Sequence, residues 1–192
     1  MKQRGITGIL LTVALLISTS TASAVNTPVQ TALSTFTLTD HNGEGIEEAR
    51  VDLLRASGSY TGVRDYTDAS GVASFEMLPG FSHGFKVHLN GGYWVSEVVP
   101  FDGHVSLQTQ LSQILLTDQN SLPIEGARID LLTAGGRSTG KRMYTDLDGA
   151  AGFETLPGCN VRFRISYNGD SFVTDLVPCG TILTLDVQVQ AN

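Results

Sequence analysis

The sequence predicts an all-β fold built as two tandem seven-stranded antiparallel β-sandwiches, and three observations lead there. Residues 34–111 align with residues 112–189 at a constant offset of 78 without a gap, and 35 of the 78 positions are identical. One module is therefore written twice. Within each copy, short runs alternate apolar and polar residues: Ala49, Val51 and Leu53 against Arg50 and Asp52, or Phe85, Val87 and Leu89 against Lys86, His88 and Asn90. Period-two alternation is the mark of a half-buried strand. Gly, Pro, Asn and Asp punctuate the runs, and past residue 24 no stretch carries an apolar stripe of helical period.

The first element is not part of that fold. Lys2 and Arg4 supply a positive start, Ile6 to Ile17 an apolar stretch, and Ala22-Ser23-Ala24 a small-residue cleavage signal. Residues 1–24 thus read as a secretory signal peptide whose apolar core is short for a membrane span, with an uncleaved anchor as the competing reading. Residues 25–33 follow as an N-terminal extension. The strands of the first repeat (34–111) are expected near 34–39, 49–55, 62–67, 71–77, 84–90, 93–99 and 103–109, and those of the second (112–192) lie 78 residues later. Their turns have a chemical basis. Thr67-Asp68-Ala69-Ser70-Gly71 and Thr145-Asp146-Leu147-Asp148-Gly149 place an Asp at the start and a Gly at the end of a short hairpin, where positive φ is needed. Asn90-Gly91 and Asn168-Gly169 are further hairpin signals, and Leu78-Pro79-Gly80 and Leu156-Pro157-Gly158 end a strand because Pro cannot donate to a ladder. The join, Gln108-Thr109-Gln110-Leu111-Ser112, lacks the composition of a flexible linker and predicts head-to-tail stacking into a short rod.

Charge narrows the function classes. Twelve Lys and Arg stand against 19 Asp and Glu, a formal net charge of −7. Cleavage after Ala24 removes two basic residues and no acidic one, leaving 10 − 19 = −9. Scattered negative charge argues against nucleic acid and against anionic lipid. The expectation is a secreted or periplasmic protein without membrane insertion once the signal is cleaved.

The turns also carry a likeness. Asp118-x-x-x-x-Pro123-Ile124-x-Gly126-Ala127-x-Ile129-x-Leu131, then Thr145-Asp146-x-x-Gly149-x-Ala151-x-Phe153-x-x-Leu156-Pro157-Gly158, resembles the carboxypeptidase regulatory-like and Cna B-type family. The first copy repeats the pattern with Gly45 and Glu48 where Pro and Gly stand. The resemblance implies prealbumin-like, Ig-like sandwiches used as stalk, spacer or adhesive units, without catalysis or a cofactor. Many such modules join a first-strand Lys to a late Asn. Here the first strands, Thr35 to Thr39 and Gln113 to Thr117, contain no Lys, so no such crosslink is expected.

Cys159 follows the second Leu-Pro-Gly and Cys179 follows Val177-Pro178. Strand directions bring Cys179 back to the end of the sandwich where Cys159 sits, and the first copy has Phe81 and Phe101 at these positions. A structural disulfide is the expectation in an oxidising compartment, with two separate thiols as the alternative.

Candidate sites are sparse. All four histidines (His41, His83, His88, His104) lie in the first copy. His83, His104 and Asp102 could form a transition-metal site, against the plainer reading of exposed loop histidines. Asp118, Asn120, Glu125, Asp146, Asp148 and Asp170 gather oxygen ligands at the opposite end of the second module, where Ca²⁺ competes with simple turn chemistry. Trp94 and Tyr60 are the candidate ligand contacts: Trp94 if its strand face points outward, against the plainer reading of a core aromatic, and Tyr60 because the loop Ser57-Gly58-Ser59-Tyr60 differs most between copies. Arg50, Asp52, Arg64 and Glu76 recur as Arg128, Asp130, Arg142 and Glu154 and read as cross-strand pairs. The expected function is an exported, non-enzymatic structural or adhesive protein with a protein or glycan partner. The alternatives are a Ca²⁺-stabilised carbohydrate-binding protein and, less favoured, a metal-dependent enzyme.

Overall fold

A computed structural model describes residues 30–187; the expected signal segment 1–24, residues 25–29 of the extension and residues 188–192 lie outside the described residues. The first repeat forms β1 (Ala32–Thr39), β2 (Arg50–Arg55), β3 (Tyr60–Tyr66), β4 (Val72–Met77), β5 (His83–Leu89), β6 (Gly92–Val95) and β7 (His104–Gln108). The second forms β8 (Gln110–Asp118), β9 (Arg128–Thr133), β10 (Ser138–Tyr144), β11 (Ala150–Thr155), β12 (Asn160–Tyr167), β13 (Asp170–Val173), β14 (Val177–Pro178) and β15 (Ile182–Val187).

These strands sort into two sandwiches. In the first, the sheet β4-β1-β7 faces β3-β2-β5-β6; in the second, β11-β8-β15 faces β10-β9-β12-β13, with β14 paired to the start of β12. Neighbours are antiparallel except at one place in each sandwich, where β1 pairs β7 and β8 pairs β15 in parallel. The exception follows from the path: six reversing links leave β1 and β7 pointing the same way, and β8 and β15 likewise once β13 and β14, both antiparallel to β12, are taken as one run, so these adjacent strands pair in parallel. Inward residues then repeat at the offset of the sequence. Phe36, Leu38, Val51, Leu53, Phe85 and Val87 build one core, and Ile114, Leu116, Ile129, Leu131, Phe163 and Ile165 the other. Each such side chain contributes about 1.5–3 kcal/mol on burial.

Turn chemistry sets the strand ends. Asp68 Oδ1 accepts the N–H of Ser70 and Val72, and Asp146 Oδ1 that of Asp148 and Ala150. The closing Gly71 has φ +80°, and a Cβ there would lie 2.1 Å from the Leu38 carbonyl oxygen; at Gly149 the corresponding distance to Leu116 is 2.4 Å. The sixth strand is shorter than the expected 93–99. Ser96 takes over its pairing with a side chain, its Oγ accepting the Phe85 N–H at 2.8 Å and donating to the Glu97 carbonyl. Thr174 does the same for Phe163 in the second sandwich.

Candidate functional site

Thr109 alone separates β7 from β8, and it is buried. So short a connection forces the end of the first sandwich onto the start of the second, and Glu154 of β11 collects the contacts. Its carboxylate accepts the backbone N–H of His41 at 3.3 Å, pairs with His41 Nδ1 and accepts the Thr109 hydroxyl. Its backbone carbonyl accepts Asn90 Nδ2 at 2.7 Å. Beside it the Asn90-Gly91 hairpin presses so closely that a Cβ on Gly91 would lie 2.8 Å from Thr133 Cγ2 and 2.9 Å from Thr139 Cγ2. Leu156 is 1% exposed and packs with the first sandwich's core. Its counterpart Leu78 is 49% exposed. Glu154, which its recurrence as Glu76 marks only as a cross-strand pair, is thus a junction residue of the stacked join. The available signal was His41, whose counterpart is Gln119, together with the one-residue connection.

Asp40, His41 and Glu154 have potential ligand atoms within 4.8 Å of one another. Asp40 Oδ1 already accepts the N–H of Asn42 and Glu44, which holds its carboxyl below the usual range, and Glu154 is bonded as above. Of the three, His41 and Glu154 meet across the joint, and Asp40 serves its own turn.

The candidate metal set of His83, His104 and Asp102 does not assemble. Ser34 and Thr35 are successive residues of β1 and face opposite sides of the sheet, Ser34 inward. His83 Nε2 lies 2.6 Å from Ser34 Oγ, and His104 Nδ1 lies 2.8 Å from Thr35 Oγ1, so the sheet separates the two imidazoles. Ser34 gives its own proton to the Gly103 carbonyl at 2.6 Å. His83 must therefore donate through Nε2, which leaves Nδ1 as a bare, buried lone pair without a partner. Burial pushes the His83 pKa down, in keeping with a neutral ring. The acidic tip is likewise committed to turns: Asp118 Oδ1 accepts the N–H of Asn120 and Leu122, and Asp146 closes its own hairpin. Among the described residues no metal-like group of three forms there. Cys159 and Cys179 are joined as expected, with Cα atoms 5.3 Å apart and the Cys179 N–H donating to the Cys159 carbonyl.

The outer face of β3-β2-β5-β6 carries the repeated charges. Asp52 is 4% exposed and receives Arg50 through Nε and Nη2 at 2.9 and 2.7 Å, with His88 Nε2 at 3.0 Å. Burial raises the Asp52 pKa, but the hydrogen bonds from Arg50 and His88 outweigh it and hold the carboxyl below its usual value. Asp130 repeats the arrangement with Arg142 and Arg128, each at 2.7 Å. These acids are buried and doubly paired, more than the exposed cross-strand pairs the sequence suggested. Trp94 does not share this face. It sits opposite the core residue Val87 in the ladder, with its ring 6.3 Å from that of Phe36, so the strand points it inward and the outward-face reading of Trp94 is corrected. The outward neighbour is Tyr93, 62% exposed, with Lys86 Nζ 4.0 Å from its ring centroid. Tyr60 opens β3 at the edge of this sheet, its hydroxyl accepting Arg64 Nε at 3.1 Å.

No protein-family profile matches the chain, and no curated protein matches it. Solved structures do. The minor pilin of Streptococcus agalactiae is 12% identical, with 84% of this chain and 98% of that one covered at a TM-score of 0.39. The shaft pilin of Lactobacillus rhamnosus GG is 7% identical over 85% of this chain and 99% of that one, TM-score 0.35. The Bacillus anthracis TIE protein is 15% identical over 82% of this chain at a TM-score of 0.34, and this chain spans only 34% of it. All three scores lie below 0.5, and no property of these proteins transfers on that basis.

Proposed function

We propose that this is an exported, non-enzymatic structural or adhesive protein in which two sandwiches are locked end to end to hold recognition surfaces for a protein or glycan partner. The joint carries the reading. A one-residue connection, a hairpin seated against Thr133 and Thr139, and a leucine shared with the neighbouring core suit a stiff spacer. Of the groups that could have served chemistry, His83 is instead spent on the core, Asp118 and Asp146 on turns, and Asp52 and Asp130 on arginine pairs.

For a glycan partner the favoured contact is the outer face bearing Tyr60 and Tyr93, where exposed rings stand beside Lys86 and Arg64. Amphipathic rings with adjacent donors suit sugar stacking. The test is a thermal-unfolding screen of the exported chain against oligosaccharides and Ca²⁺ after EDTA treatment, since any ligand of the folded state raises the midpoint. A sugar-induced rise abolished by Tyr93→Ala supports this surface. A rise that survives both Tyr93→Ala and Tyr60→Ala removes the surface from consideration. A rise with Ca²⁺ alone would overturn the assignment of the tip acids to turns.

A further inference from the structure

The contact that locks the two sandwiches has both of its halves repeated elsewhere on the molecule, and there no described residue covers either half. One half is the groove on the second sandwich bounded by Thr133, Thr155, Leu156 and Cys159, against which Asn90, Gly91 and Gly92 are placed. Its counterpart on the first sandwich is lined by Arg55, Met77, Leu78 and Phe81, with a volume of about 590 Å³, and there Leu78 and Phe81 are 49% and 62% exposed. The other half is the hairpin. Asn168 has φ +49° where Asn90 has +48°, so the two turns share a conformation. A Cβ on Gly169 meets nothing within 4 Å, whereas one on Gly91 would collide with Thr133.

We infer that this chain associates with copies of itself head to tail, the Asn168-Gly169-Asp170 hairpin of one copy seating in the Leu78–Phe81 groove of the next. The inference gives the structural reading above a partner and rests on it. Three correspondences favour a second copy as the occupant. The Glu76 backbone carbonyl stands where that of Glu154 accepts Asn90, ready for Asn168. Arg55 stands where Thr133 meets Gly91, and Asp170 stands where Gly92 lies beside Leu156 and Cys159, so one positive and one negative side chain enter the same contact where the internal joint has threonine and glycine. Leu78 and Phe81 would lose to the hairpin the exposure that Leu156 has already lost. Because the two surfaces differ, the contact is heterologous and builds an open chain of copies unless its rotation closes a ring.

The stacking can be tested by directed crosslinking. A Cβ on Gly92 lies 4.0 Å from the Cys159 Cβ, inside the roughly 3.5–4.5 Å span of a disulfide. The same geometry between copies relates Asp170 to Phe81. Under mild oxidation, chains carrying Phe81→Cys mixed with chains carrying Asp170→Cys should give a covalent dimer that neither gives alone. By sedimentation, the average mass of the unmodified chain should rise with concentration. Leu78→Asp or Asp170→Arg should reduce it to the monomer mass, and Asp170→Arg combined with Arg55→Asp should restore it. A constant monomer mass without mixed crosslinking would overturn the inference. Association that Leu78→Asp leaves unchanged would also overturn it, by placing the contact elsewhere. Glycan binding at the tyrosine face is read in a separate assay, so the two readings fail separately.

Discussion

Asp130 and Asp52 show how much a single buried carboxylate can be asked to do on an otherwise solvated sheet face. Each is nearly inaccessible and held by two or more donors, so losing the negative charge leaves guanidinium groups without their partner. Asp130→Asn should cost about 2–3 kcal/mol, read as a lower urea midpoint. The pH dependence has a definite sign. His83 and His88 are both held below the ordinary histidine value, chiefly by burial. Below about pH 6.5 the unfolded chain takes up protons that the folded chain refuses, so stability falls as pH drops through that point. The paired aspartates, also depressed, add a second loss below about pH 4. Replacing His83 by Val and His88 by Ser, the residues of the second repeat, should flatten the urea-midpoint profile between about pH 7.5 and 5.5. An unchanged slope would mean that neither imidazole is excluded from protonation.

Turns and crosslinks are the points where whole strands are most easily disturbed. Gly149 combines φ +72° with a carbonyl oxygen at 2.4 Å from any added Cβ, so Gly149→Ala should destabilise by about 2 kcal/mol or more. Gly169, with similar φ but open space around it, should lose distinctly less, and comparing the two melting temperatures separates steric collision from backbone preference. Reduction of Cys159–Cys179 should lower stability by about 3 kcal/mol, with unfolding followed in the presence and absence of reductant. These features were legible in the sequence because they are local: an Asp at a turn start, a Gly at its end, and an alternation of period two all act within a few residues. The inward orientation of Trp94 was not legible, since alternation gives two faces without saying which one meets the core.

At the scale of the molecule, the joint is a product of two sequences meeting and could not be read from either alone. Glu154 and Glu76 are the same residue in the same strand, each accepting a hydroxyl from the threonine that precedes β8 or β1. Only the arrival of His41 and Asn90 makes one of them a junction residue. The histidines of the first repeat form no shared site for a related reason: His104 reaches β1 from its own sheet and His83 from the facing sheet, on opposite sides of that strand. Gly91→Val should break the joint while leaving both cores intact. Amide hydrogen exchange should then speed up at Thr133, Thr139 and Glu154, with little change at Phe36 or Phe163. Equal loss of protection in both cores would mean that the sandwiches depend on the joint to fold.

The parallel pairing of β1 with β7, and of β8 with β15, has a mechanical consequence. The chain enters each sandwich along one of these strands and leaves along the other, and the two lie side by side pointing the same way. Tension applied through the chain ends pulls them lengthwise past each other, so the ladder from Thr35–His104 to Thr39–Gln108 is loaded in shear and its bonds share the force. A hairpin such as β5–β6 pulled from its open end would instead give way one bond at a time. A chain built this way resists stretching out of proportion to its thermodynamic stability.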